Sequence, residues 1–240
     1  MQALANPTRF LAVQATVQPW LWATTAGLLA IGLYLGLVQA PADYQQGETV
    51  RIMFVHVPAA WLGLFIYSLM AAASAVAIIF RHPLADVAAK TAAPIGAAFT
   101  FLALATGALW GKPMWGAWWV WDARITSMFV LLLLYLGYIA IWQAVEERGQ
   151  AARIAGIVAI VGFINVPIIK FSVDWWNTLH QPASVLRLDG PAIHPSMLAP
   201  LLVMALAYTT LFTALHLLAI RTEIMARRVR QIELAVAGGA

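Results

Sequence analysis

The sequence predicts an all-α integral membrane protein, a bundle of six transmembrane helices with a tryptophan-rich loop on one side. Three observations predict it. Of the 240 residues, 62% are hydrophobic and only 10% are charged, where a soluble domain carries about 25% charge. The charges fall between long apolar runs instead of alternating with them, which is the pattern of spans and connections. The basic residues are also divided unevenly between the two sets of connections.

The apolar runs lie near 20–39, 58–80, 92–110, 125–145, 154–171 and 197–219. At about 1.5 Å rise per residue, most of them cross a hydrocarbon core roughly 30 Å thick. The fifth is the shortest and carries Asn165 and Pro167, which makes its edges the least defined. Nine Lys and Arg residues, from Arg9 to the Arg227, Arg228 and Arg230 cluster, fall on one side, and five fall on the other. The richer side is expected to be cytoplasmic, which places both termini inside. "LVQA" before Pro41 resembles a signal-cleavage site, but the apolar core is long and nineteen residues precede it. A retained first helix is the expectation. Residues 1–240 read as a single membrane domain, without repeats or a separate soluble unit.

Composition also narrows the chemistry. With no cysteine, disulfides, thiolate ligands and C-x-x-C-H haem attachment are excluded. The net charge of +4 is scattered over loops and forms no stripe, so nucleic acid is not an expected partner. There is no P-loop for ATP and no H-E-x-x-H for zinc. A transporter is weakly supported, because the spans carry few charges and show no matched pair of broken helices.

The segment "LWGKPMWGAWWVWDARIT", residues 109–126 between helices 3 and 4, holds five of the 11 tryptophans. Eight of the 11 belong to the side opposite the basic-rich one. Interface anchoring explains one or two aromatics per helix end. A run of Trp118, Trp119 and Trp121 beside Trp110 and Trp115 reads instead as a platform for a flat ligand. If 115–122 is helical, Trp115, Trp118, Trp119 and Asp122 share a face and Trp121 points away. If it is extended, Trp119 and Trp121 share a face and Trp118 opposes them. The short amphipathic helix is the favoured expectation. Asp122 is placed to cap helix 4. Arg124 is placed to bridge to Asp122 or to meet a ligand carboxylate. Arg51 and Lys112 are the nearby cations.

"RIMFVHVPAAW" and "FSVDWWNTLHQPAS" bring His56 and His180 to the same side, each beside Pro and Trp. Two such histidines facing an aromatic loop suit the two faces of a metal macrocycle, since haem iron takes imidazole nitrogen axially. His194 lies on the same side without aromatic neighbours and is the substitute candidate. His216, inside helix 6, reads as a residue bonded within the bundle.

"WGKPMWGAWWVWDARIT", with "HVPAAW" and "WWNTLHQPAS", closely resembles the WWD family of membrane haem-handling proteins, in the branch serving bacterial cytochrome c maturation. The resemblance runs from about residue 20 to 225 and is most specific in these three segments. It implies a haem site on the periplasmic side of the bacterial inner membrane, with His56 and His180 as the axial iron ligands. It implies that Trp110, Trp115, Trp118, Trp119, Trp121 and Asp122 form the signature loop, with Arg51 and Arg124 near the haem. The implied cargo is haem b, bound without covalent attachment and in transit. The implied partners are a periplasmic membrane-anchored haem chaperone, the ATPase and membrane subunits of an ABC transporter, and a small one-helix subunit. Two alternatives stay open at this stage. One is a haem lyase of the same family, whose members are usually longer, and the other is a structural transporter subunit.

Overall fold

The computed structural model describes residues 6–182, 184–185 and 187–238. Among them there is no β-strand, and seven α-helices build six membrane crossings. They are α1 (Pro7–Tyr34, prolonged by a π turn at Leu35–Gln39), α2 (Met53–Phe80, entered through a 3-10 turn at Glu48–Ile52) and α3 (Ala85–Trp115). After these come α4 (Ala123–Ala144), α5 (Arg148–Gly162), α6 (Asn165–Trp175) and α7 (Pro195–Gly238). The protein is a multi-pass membrane protein.

Local chemistry sets the ends. Asn6 caps α1, its Oδ1 accepting from the Thr8 and Arg9 amides, and Pro7 occupies the first position, where its missing N–H costs nothing. Glu147 caps α5 in the same way through the Gly149 and Gln150 amides. Gly116 closes α3 at φ +76°, a left-handed conformation that any side chain would strain. The six expected spans are present, but the helices outrun the apolar runs. α1 begins at Pro7, α3 continues through Trp115, and α7 extends to Gly238. Hydropathy marks only the lipid-facing part of a helix, while capping and packing continue it into the polar zone.

The fifth crossing is broken in two. Pro167 has no N–H to return to the Phe163 carbonyl. That carbonyl instead accepts from the Val166 amide at 3.0 Å, and the chain turns at Phe163–Ile164. Asn165 follows the break, and its Nδ2 donates to the Ser127 carbonyl of α4 at 2.8 Å. Polar backbone inside a bilayer must find protein partners, and here the turn's own bonds, from the Ile164 amide to the Val161 carbonyl and from Val166 to Phe163, supply them.

Helices α2 and α3 form the centre, flanked by α4, α5 and α7, while α1 lies at the edge along α7. Only 17% of α1's most apolar window is buried, against 39% for α2 and α3. Without a hydrophobic drive between helices in lipid, close approach decides their packing. Gly96 shows how: a Cβ there would overlap the Tyr135 hydroxyl. That hydroxyl is fully buried and donates to the Gly63 carbonyl at 2.8 Å. Both described chain ends lie at the same end of the bundle, where Arg228 of α7 donates to Thr8 of α1. Lys90, Glu223, Arg227 and Asp86 are paired there at 2.8–3.0 Å.

Candidate functional site

At the opposite end, two helix stripes face each other. On α2 the stripe is Met53, His56, Val57, Ala60, Trp61 and Leu64, and on α3 it is Gly107, Trp110, Gly111 and Met114. Both follow the i, i+3, i+4, i+7 spacing of one helical face. Between these stripes, α4, α6 and the segment after α6 lie two adjoining cavities of about 240 and 400 Å³. His56, His180, Arg124 and Lys170 line both of them. Cavities of roughly this size take organic ligands of drug or cofactor scale, on the order of 300–1,000 Å³.

His56 sits in the first turns of α2, not in a loop before it. Its Nδ1 lies 3.1 Å from Thr106 Oγ1 on α3. The single hydroxyl proton of Thr106 is directed to the Leu102 carbonyl at 2.6 Å. Thr106 therefore accepts from His56, which puts the imidazole proton on Nδ1 and leaves the Nε2 lone pair free. The ring packs edge-on against Trp110, with centroids 5.7 Å apart. Gly107 makes this possible, because a Cβ there would lie 3.0 Å from His56 Cε1.

His180 is oriented by a different kind of partner. Its Nδ1 lies 2.9 Å from Asp122 Oδ2, and the Trp115 ring packs against it at 4.9 Å. The other oxygen of Asp122 accepts the Ile125 amide at 2.8 Å and caps α4, as the sequence predicts. One buried carboxylate thus serves a helix end and an imidazole 58 residues away. Burial, only partly opposed by the Asp122 carboxylate, holds the His180 pKa below the usual histidine value. The ring is consequently neutral at pH 7 and protonates only at more acid pH. A neutral ring with an N–H bonded to a carboxylate is in the form that ligates metal.

The aromatic loop differs from the favoured expectation. Residues 117–122 are not an amphipathic helix; α3 ends at Gly116 and an irregular, extended strip leads to α4. The glycine turn and the Asp122 cap, whose backbone is extended, fix both edges, and the five residues between them would make little more than one turn, too short to form a stable helix. The extended alternative holds for one pairing: Trp119 and Trp121 pack together at 5.4 Å and both meet Phe129. Trp110 and Trp115 line the smaller cavity, and Trp118 and Trp119 line the larger. Trp121 lines neither and is 71% exposed.

The arginines separate. Arg124 makes no ion pair with Asp122; it donates to Ser172 Oγ and to the Ile169 and Lys170 carbonyls, clasping α6 to α4. Arg51 pairs with Glu48 and lines neither cavity, yet its Nη1 is buried without a partner. His194 bonds Ser196 beside the start of α7 and is exposed, outside both cavities. His216 donates from Nε2 to the Ala88 carbonyl, as a residue bonded within the bundle. Gly107 and Gly111, small residues that the sequence offers for close approach of a flat ligand, do line the cavities, whereas Thr106 and Lys170 are site residues with no such signal. Thr106 stands four positions before Trp110 inside the third apolar run, so one helical turn joins them, but nothing local marks its hydroxyl as the partner of a histidine 50 residues away. Lys170 gave no signal beyond its charge.

The family described as Heme exporter protein C matches residues 1–235. The chain is 63% identical over 231 residues to the "Heme exporter protein C" of Bradyrhizobium diazoefficiens, covering 96% of this chain and 88% of that one. It is 46% identical over 221 residues to the protein of that name from Haemophilus influenzae, covering 92% and 90%. With the one from Escherichia coli strain K12 it shares 44% over 231 residues, covering 96% and 93%.

Proposed function

Because the chain belongs to the heme exporter protein C family, we propose that it binds haem b in transit and presents it for cytochrome c maturation. His56 and His180 supply the two axial imidazoles, and the site opens to the periplasmic side of the inner membrane. One observation carries the reading. Two histidines on distant segments line the same pair of cavities, each with Nδ1 engaged by a protein acceptor. Their Nε2 atoms are the ones left for iron.

The remaining residues fit a flat, mostly apolar ring with acidic edges. The apolar faces of α2 and α3 and the rings of Trp110, Trp115, Trp118 and Trp119 would cover the macrocycle. Arg124, which lines both cavities, and Arg51, which lines neither but keeps Nη1 without a partner, would be the donors to propionates. Charge-assisted bonds of that type are worth about 1.5–3 kcal/mol each. Trp121 acts behind the wall by bracing Trp119. The receiving partner is a periplasmic, membrane-anchored haem chaperone, in an assembly with ABC transporter subunits and a one-helix subunit. No residue of this chain is assigned a bond-making role.

The test is spectroscopic. Haem-loaded protein should show the magnetic circular dichroism of bis-histidine iron. His56→Gly or His180→Gly should open one axial position that added imidazole refills, while His194→Gly leaves the spectrum unchanged. If neither His56→Gly nor His180→Gly alters coordination, haem presentation by this pair is refuted.

A further inference from the structure

The two candidate ligands are not equivalent, because their Nδ1 partners differ in charge. His180 bonds a carboxylate, Asp122, whose side chain is only 6% exposed and which forms no ion pair with a Lys or Arg among the described residues. Its negative charge is therefore directed at one imidazole in a shielded place. His56 bonds a neutral hydroxyl whose proton is already committed to the Leu102 carbonyl. A carboxylate behind a ligating histidine raises the ligand's basicity and strengthens its donation to the metal. A hydroxyl does so far less. Two axial ligands share one iron orbital, so the stronger donor lengthens and weakens the bond opposite to it.

We infer that His56 is the exchangeable ligand and His180 the retained one, so that an incoming imidazole-class ligand enters on the His56 face. This rests on the bis-histidine reading above. The exchange is a coordination step alone. The bond from iron to His56 Nε2 breaks with its electron pair staying on the imidazole, and the lone pair of the newcomer fills the position. Iron keeps its oxidation state. Backbone placement opposes this order, since His56 rides on α2 whereas His180 lies in the irregular segment after α6. The Asp122 bond offsets that difference, because Asp122 is itself fixed as the cap of α4 and the Trp115 ring packs on His180. The close approach of His56 to Gly107 orients its ring without adding to its donor strength.

Carbon monoxide is the probe. Added to reduced, haem-loaded, full-length protein in detergent, it should displace one histidine. Photolysis then leaves five-coordinate iron whose iron–histidine stretching band, read by resonance Raman, reports the ligand that stayed. The expected band has the raised frequency of a carboxylate-bonded imidazole, falls in Asp122→Asn and is unmoved in Thr106→Val. Asparagine caps a helix as well as aspartate, so Asp122→Asn keeps the α4 start while removing the charge. Haem affinity should fall about 10–100-fold in Asp122→Asn, the usual range for losing an outer partner. It should fall less in Thr106→Val, and Thr106→Ser should restore it. A band that moves with Thr106→Val and ignores Asp122→Asn overturns the asymmetry alone. Absence of a bis-histidine signature in the unaltered protein overturns the reading beneath it.

Discussion

The two ends of the bundle both hold charged and aromatic side chains, but they use them differently. At the end carrying the described termini, Glu223 meets Lys90 and Arg227, Arg227 meets Asp86, and Lys90 also lies 4.9 Å over the Trp142 ring. Every charge in that cluster has an opposite charge beside it, and a small apolar core of Val87, Ile220 and Ile224 packs next to it. At the histidine end, Arg124 is bonded only to a hydroxyl and two carbonyls, and Arg51 keeps a buried Nη1 open. The single buried carboxylate there is assigned to an imidazole and a helix cap. The first end is closed electrostatically and clamps α1, α3 and α7. Asp86 Oδ1 and Trp142 Nε1 stay unbonded at the first end, and Arg51 Nη1 and Trp119 Nε1 at the second. What sets the second end apart is its pair of cavities, with two histidines and two cations in their walls.

The sharpest way to break this comparison is to place the two ends on the wrong sides of the membrane. The chain has no cysteine, so single introduced thiols report cleanly. Gln45→Cys and Ser184→Cys should react with a membrane-impermeant thiol reagent in intact spheroplasts, and Gly149→Cys only after lysis. The reverse pattern inverts the protein and removes the periplasmic site. Next in size, Trp118→Ala with Trp119→Ala should lower haem retention roughly hundredfold, about 2–3 kcal/mol, at unchanged membrane insertion. Trp121→Ala should cost less, near the ~0.5–1.5 kcal/mol of an aromatic pair. Equal haem occupancy in the double variant, measured per protein, would reduce the loop to an interface anchor.

Smaller effects sharpen the division. Arg124→Ala should cost about 1.5–2 kcal/mol of stability through its lost bonds to α6, read as a lower melting temperature, and haem should be held more weakly. Glu223→Gln, at the closed end, should lower stability by about 1 kcal/mol or less and leave the haem spectrum untouched. A spectral change in Glu223→Gln would mean that the two ends are coupled.

Much of the fold was legible because lipid imposes a local rule. A span is apolar over about 20 residues, and each of the six runs contains such a window. The α4 start was legible too, since Asp122 followed by an apolar run is a local cap signal. What stayed hidden depends on residues far apart in the chain. His180 reaches Asp122 across 58 residues and His56 reaches Thr106 across 50, and no periodicity encodes such pairs. The aromatic loop was misread for a different reason. Its spacing satisfies both a helix and a strand, and the choice is made by Gly116 and by the extended backbone of Asp122.

The break in the fifth crossing makes one wall of the site a short helix of its own. At about 1.5 Å per residue, neither the 15 residues of α5 nor the 11 of α6 can cross ~30 Å of hydrocarbon alone. The α-helical ladder between them gives way to the tighter turn bonds of Phe163, Ile164 and Val166, and the position of α6 is set by these together with Asn165 on Ser127 and the Arg124 clasp. Ile169 and Lys170, which line the larger cavity, ride on this short cylinder. Displacing it would cost a few turn bonds of the backbone and a handful of side-chain bonds, and would spare the five unbroken spans. Guest entry from within the bilayer would then need only a local excursion of one short helix, with the rest of the scaffold standing still.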